Sequence, residues 1–129
     1  MKHRGIVMGR KGMVASAHTL ISSSGLKVLQ SGGNAVDSAI AMALTSGLVL
    51  PDMCGLGGDA FALYYDAKTK KVTAINGSGG APKAATLEKY RELGHTKMPN
   101  DGMLSVTVPG AVDVYFAMLE KWGTKSFTE

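Results

Sequence analysis

The stretch from Gly32 to Pro51 limits the folds open to this chain more than any other. Gly32-Gly33 stops a preceding helix, and Asn34 then offers a side-chain oxygen to the first free amides of a new one. Asp37 sits in the first turn, where the helix dipole favours a negative charge, and Pro51 prevents further propagation. Between these signals Ala35, Val36, Ala39, Ile40, Ala41, Met42, Ala43 and Leu44 are small and apolar nearly all round, which predicts a buried helix over Ala35–Val49. It is not a membrane span, being shorter than about 20 residues and carrying Asp37, Ser38, Thr45 and Ser46. No membrane partner is expected.

Around this helix the periodicities alternate. Met13 to Ala17 reads as a short first strand. From Thr19 the pattern turns helical, with Ile21, Gly25, Val28 and Leu29 on one face. Gly25 in mid-helix costs up to about 1 kcal/mol against Ala, so it implies a close backbone contact. Phe61 to Tyr65 and Val72 to Ile75 flank a turn at residues 66–70 and predict a hairpin. Asn76 to Gly80 is a Gly-rich loop, and Ala81-Pro82 leads into a short helix near Thr86 to Leu93. Gly94 to Gly102 reads as an exposed loop and Ser105 to Val108 as a last strand. Pro109-Gly110 opens a helix through about Lys121, with Val112, Phe116 and Leu119 at core spacing and Gly123 as its cap. Ser126-Phe127-Thr128-Glu129 looks like the start of another helix. The order gives an α/β (α+β) class, and 129 residues suit one domain over 1–129.

Bulk properties exclude several functions. Apolar residues make up 45% and charged residues 19%, so disorder is not expected. The net charge of +4 is spread out, apart from Lys68, Lys70 and Lys71 in the hairpin turn, and nucleic-acid binding needs cations clustered on one face. Cys54 is the only cysteine, which rules out an internal disulfide and a Cys-based metal cluster. After Lys2, His3 and Arg4, the apolar run Gly5-Ile6-Val7-Met8 is too short for a signal-peptide core of about 7–15 residues, so a cytoplasmic location is expected.

The motifs that could carry chemistry mostly dissolve on inspection. Gly55-Leu56-Gly57-Gly58-Asp59-Ala60 matches the dinucleotide fingerprint, but a helix precedes it and a strand follows, the reverse of what faces a helix N-terminus to a pyrophosphate. The three glycines are instead expected to serve a tight turn at positive φ. His18 and His95 lack a second ligand at helical spacing, so no metal is expected. Asp52 and Asp59 flank the loop and could pair, although surface or capping roles are the simpler expectation. No cofactor and no catalytic set are visible.

Four segments in order carry a family resemblance. They are Gly12 to His18 (GMVASAH), Gly25 to Ala39 (GLKVLQSGGNAVDSA), Pro51 to Phe61 (PDMCGLGGDAF) and Ser105 to Val112 (SVTVPGAV). Together they resemble the N-terminal portion of gamma-glutamyltransferases (gamma-glutamyltranspeptidases), from about Gly12 to Phe127. The resemblance implies part of the four-layer αββα fold of N-terminal nucleophile hydrolases, two sheets between helical layers. It implies a precursor that cleaves itself into large and small subunits, with the small subunit's new N-terminal Thr as nucleophile and its own amine as base. That Thr lies outside this chain, which is then the first part of a large subunit, with the rest of the precursor as partner and an oligomeric parent. The implied substrate is a small-molecule amide or peptide, such as glutathione or another gamma-glutamyl compound.

One position departs from the family pattern. Gamma-glutamyltransferases carry an Arg four residues ahead of the proline that corresponds to Pro82, and it binds the α-carboxylate of the glutamyl substrate. Here Ser78 stands there, and the resemblance makes it the candidate substrate-binding residue. A hydroxyl donates one hydrogen bond and no charge, where an Arg grips a carboxylate with two. Relatives acting on other amides, such as oxamate or a cephalosporin side chain, therefore stay open. The reading from another class is a non-catalytic scaffold or binding module.

Overall fold

The computed structural model describes residues 5–128, so Lys2, His3, Arg4 and Glu129 lie outside the described residues. The elements are α1 (Thr19–Gln30), α2 (Ala35–Val49), β1 (Ala60–Asp66), β2 (Lys71–Gly77), α3 (Leu87–Glu92) and α4 (Ala111–Trp122), with a 3-10 turn at Met103–Ser105. They fall into two compact units, one of residues up to Gly55 together with those from Tyr115, the other Leu56–Val114.

In the first unit α1 starts where the His18 ring nitrogen Nδ1 accepts the Leu20 amide at 3.2 Å. It ends at Ser31, and the next residue, Gly32, has φ +90°, the left-handed conformation that glycine takes most easily after a helix. The close contact expected at Gly25 is present: a Cβ there would lie 2.4 Å from Met42 Sδ. Ser38 Oγ donates to the Gly25 carbonyl at 2.9 Å, so the α1 backbone lies directly on α2. The start of α2 is a capping box. Asn34 Oδ1 accepts from the amides of Val36 and Asp37, and Asp37 Oδ2 accepts the Asn34 amide at 2.7 Å.

Asp37 reaches further. Its carboxylate accepts the Thr124 amide at 2.9 Å, the Lys125 amide at 3.1 Å and the Thr124 hydroxyl, while Asn34 Nδ2 donates to the Trp122 carbonyl at 2.6 Å. Burial raises the Asp37 pKa, but the hydrogen bonds from the Thr124 hydroxyl and from the Asn34, Lys125 and Thr124 amides outweigh it and hold the carboxyl below its ordinary value. The segment after Trp122 is thereby tied to the head of α2, and it forms a turn at residues 127–128 where the sequence suggested another helix.

Two further expectations for this unit are corrected. α2 is not buried all round: Val36, Asp37, Ser38 and Ile40 are buried, but Ala39 is exposed and Leu48 is 84% exposed. α1 lies on the side that carries Ser38 and Met42, and the exposed positions of α2 are Ala35, Ala39 and Leu48. Met13 to Ala17 forms no strand, since a strand needs a laddered partner and the described sheet holds β1 and β2 alone.

The second unit is organised on the antiparallel hairpin, with Ala60 opposite Gly77 and Asp66 opposite Lys71. Asp66 fixes the turn by accepting from the Lys68 amide at 2.8 Å and the Thr69 hydroxyl at 2.9 Å. Thr86 caps α3 through its hydroxyl on the Lys89 amide at 3.2 Å. The strand expected at Ser105 to Val108 is absent. That backbone makes a single bond toward the hairpin end, Val108 N to Gly80 O at 3.0 Å, and Pro109 has no amide to continue a ladder.

The core face of α4 also differs from expectation. Ala111, Val114 and Met118 are buried, whereas Phe116 is 49% exposed and stacks on Phe127 at 4.1 Å between ring centroids. At Gly77 a Cβ would sit 2.0 Å from Val114 Cγ2, so strand backbone and the start of the helix are in close contact there.

Candidate functional site

The loop from Asn76 to Gly80 begins within the end of β2 and continues past Gly77 without a bend. Asn76 Oδ1 accepts the Ser78 amide at 2.9 Å, a side-chain turn that replaces the missing ladder bond. Ser78 is exposed, and its hydroxyl makes no hydrogen bond among the described residues. The next amide, Gly79 N, donates to Asp59 Oδ1 at 3.1 Å, and the same oxygen accepts the Thr107 hydroxyl at 3.1 Å. Just before Asp59, the Gly58 carbonyl accepts the amides of Gly110 at 3.1 Å and Ala111 at 3.0 Å.

Three backbone segments, at Gly58-Asp59, 76–80 and 107–111, are thus joined by hydrogen bonds at separations that only glycine permits. A Cβ on Gly79 would lie 1.5 Å from the Val108 carbonyl oxygen, and one on Gly110 would lie 2.3 Å from the Gly77 oxygen. The arrangement presents a free hydroxyl at Ser78 and, one residue away, a carboxylate whose Oδ2 makes no hydrogen bond among the described residues. It can donate and accept hydrogen bonds at a solvent-facing rim.

Other candidates fall elsewhere. The turn before β1 begins at the end of α2, where the Leu50 carbonyl accepts the amides of Met53 and Cys54 at 3.0 Å each. The positive φ expected at Gly55, Gly57 and Gly58 is not found, since among the described residues glycine takes positive φ at Gly32, Gly94 and Gly102. Space is also open there, with nothing within 4 Å of a Cβ added to Gly55 or Gly57. The fingerprint match sits between a preceding helix and a following strand, as its order in the sequence implied. His18 is the cap of α1, and His95 lies against the Tyr90 ring at 6.3 Å. Among the described residues no three His, Cys, Asp or Glu side chains converge to hold a metal, and no helix is long and apolar enough to cross a membrane.

Sequence reasoning singled out Ser78 but missed what holds it. Asp59 meets the loop from 20 positions before Gly79, Val108 and Gly110 meet it from beyond α3, and Thr107 reaches Asp59 across 48 positions. The available signal was glycine at Gly77, Gly79 and Gly110, which marks close approach without naming the partner.

The Gamma-glutamyltranspeptidase family pattern matches residues 21–129. The chain is 42% identical over 124 residues to the glutathione hydrolase-like YwrD proenzyme of Bacillus subtilis (strain 168), an alignment covering 95% of this chain and 23% of that protein. The crystal structure of cephalosporin acylase from Bacillus halodurans superposes with a TM-score of 0.90 and 37% identity, over 96% of this chain and 23% of that one. Helicobacter pylori gamma-glutamyltranspeptidase gives 0.84 and 36% identity, over 95% of this chain and 36% of that one. The chain therefore spans 23% of the length of the curated relative. Its mixed helices and sheet match part of the N-terminal nucleophile hydrolase fold.

Proposed function

Because the chain belongs to the gamma-glutamyltranspeptidase family, we propose that it is part of an enzyme that cleaves an amide or transfers its acyl group. The Thr nucleophile and its amine base come from another part of the precursor, and this chain contributes a wall of the donor site. The loop at 76–80 carries this reading, since its hydroxyl-bearing Ser78 is exposed on a backbone pinned from two sides. A pinned loop holds a substrate contact without losing conformational freedom on binding, which is what a positioning wall requires.

Ser78 also favours the second reading, an acylase or amidohydrolase for a non-glutamyl amide. A neutral hydroxyl gives up the charged, two-pronged grip on a donor carboxylate, worth roughly 1.5–3 kcal/mol or about 10- to 150-fold in affinity. The test is steady-state kinetics of the intact enzyme and its Ser78→Arg variant with gamma-glutamyl p-nitroanilide and glutathione. The expected result is a high KM for both donors, lowered in Ser78→Arg. A micromolar KM for glutathione in the wild type, or a donor KM untouched by the substitution, refutes the placement of Ser78 at the donor.

A further inference from the structure

We propose that Asp59 is the positioning residue of the donor loop and sets its selectivity against donors that carry a carboxylate. This rests on the amide-cleaving reading above and deepens it. Asp59 Oδ1 holds the Gly79 amide and the Thr107 hydroxyl, both at 3.1 Å, and so joins the Ser78 loop to the segment that opens α4. No other side chain among the described residues bonds to the Gly79 amide. Bond geometry then puts the carboxylate within about 6 Å of Ser78 Cα.

Two consequences follow from chemistry alone. The hydrogen bonds use Oδ1 as an acceptor, a role that a neutral amide oxygen fills equally well in shape. The charge is a separate property. Oδ2 makes no hydrogen bond among the described residues, and among them Asp59 forms no ion pair. A donor carboxylate laid over Ser78 meets this negative charge at short range, while a neutral acyl group does not, and such repulsion against the wrong ligand discriminates as effectively as attraction to the right one. Ser78 and Asp59 act in the same direction: one lacks the cation that would hold a carboxylate, and the other supplies an anion that repels it.

Asp59→Asn separates the two roles, because it keeps the acceptor and removes the charge. Asp59→Ala removes both, and Thr107→Val removes only the Thr107 bond. The intact enzyme and these variants are compared with glutaryl and butyryl p-nitroanilides, which differ by one carboxylate, and hydrogen exchange is followed in the peptide that contains Gly79. Asp59→Asn is expected to lower the KM for the glutaryl donor relative to the butyryl donor by about 3- to 10-fold, with a larger effect at low salt. Asp59→Ala is expected to speed Gly79 exchange by about tenfold and to raise KM for both donors more than it lowers kcat. Thr107→Val is expected to fall between wild type and Asp59→Ala in exchange. Unchanged Gly79 exchange in Asp59→Ala overturns the anchoring role even if that variant is less stable overall. An unchanged glutaryl-to-butyryl ratio in Asp59→Asn overturns the selectivity. If the wild type turns over neither of these donors nor a gamma-glutamyl one, the amide-cleaving reading fails and takes the selectivity with it, whereas the anchor still stands or falls on the exchange data.

Discussion

Replacing Gly79 with Ala tests the architecture of the loop most directly. The added Cβ would sit 1.5 Å from the Val108 carbonyl oxygen and 2.7 Å from the Val108 carbonyl carbon. Carbon and oxygen in contact need a little over 3 Å, so the two backbones must separate by more than 1 Å along this line. The obstacle is main chain, which cannot swing aside as a side chain can. Separation also stretches the Val108 N to Gly80 O bond of 3.0 Å and the Gly79 N to Asp59 Oδ1 bond of 3.1 Å. Overpacking of this kind costs about 1–3 kcal/mol, and a weakened hydrogen bond adds about 1 kcal/mol. A total of about 2–4 kcal/mol lowers the melting temperature of a chain this size by roughly 8–15 °C. Thermal unfolding followed by circular dichroism reads it, with Gly57→Ala as the control, since nothing lies within 4 Å of a Cβ at Gly57. Equal melting temperatures for Gly79→Ala and the wild type would show that the loop is not held against Val108. A large loss in Gly57→Ala would show that the turn before β1 is tighter than the structure has it.

Asp37→Ala strands the amides of Asn34, Thr124 and Lys125 and is expected to cost about 2–4 kcal/mol, read as a lower urea midpoint. Because the folded-state pKa of Asp37 lies below its unfolded value, its contribution is present above about pH 4 and is lost as pH falls through the folded pKa. The wild-type urea midpoint should therefore drop more steeply below pH 4 than that of Asp37→Asn. The 129-residue chain made alone should not hydrolyse gamma-glutamyl p-nitroanilide. Turnover above a heat-killed control, abolished by one substitution in this chain, would refute that.

What could be read from the sequence is what short-range chemistry decides. The Asn34 cap, the Asp37 first turn, the extent of α2 and the hairpin between Phe61 and Ile75 all follow from residues within a few positions of one another. The Gly25 contact was legible because glycine in mid-helix has few other uses. Where the outcome depends on a distant partner, sequence reasoning failed. Met13 to Ala17 and Ser105 to Val108 have strand-like composition but no strand beside them. On α4, Phe116 has the stronger apolar claim to the core, yet Ala111, Val114 and Met118 are the buried residues, and Val114 meets the backbone of Gly77 far away in the sequence. The same applies at the site. Ser78 was singled out through resemblance alone, while Asp59 was legible only as a carboxylate beside a glycine loop until its partners at Gly79 and Thr107 were placed.

The Asp37 carboxylate meets Thr124 and Lys125 at 87 and 88 positions along the chain. A ribosome adding about 5–20 residues per second delivers Thr124 some 4–17 s after Asp37. All of Leu56–Val114 is made in that interval, so the second unit has left the ribosome before the first can be completed. Translation therefore imposes an order: α1 and α2 wait as an unclosed pair, with the head of α2 held only by its own capping box. During that wait the apolar sides of α2 are at their most exposed, and a translational pause between these two points lengthens the period in which the nascent chain is open to aggregation or chaperone capture.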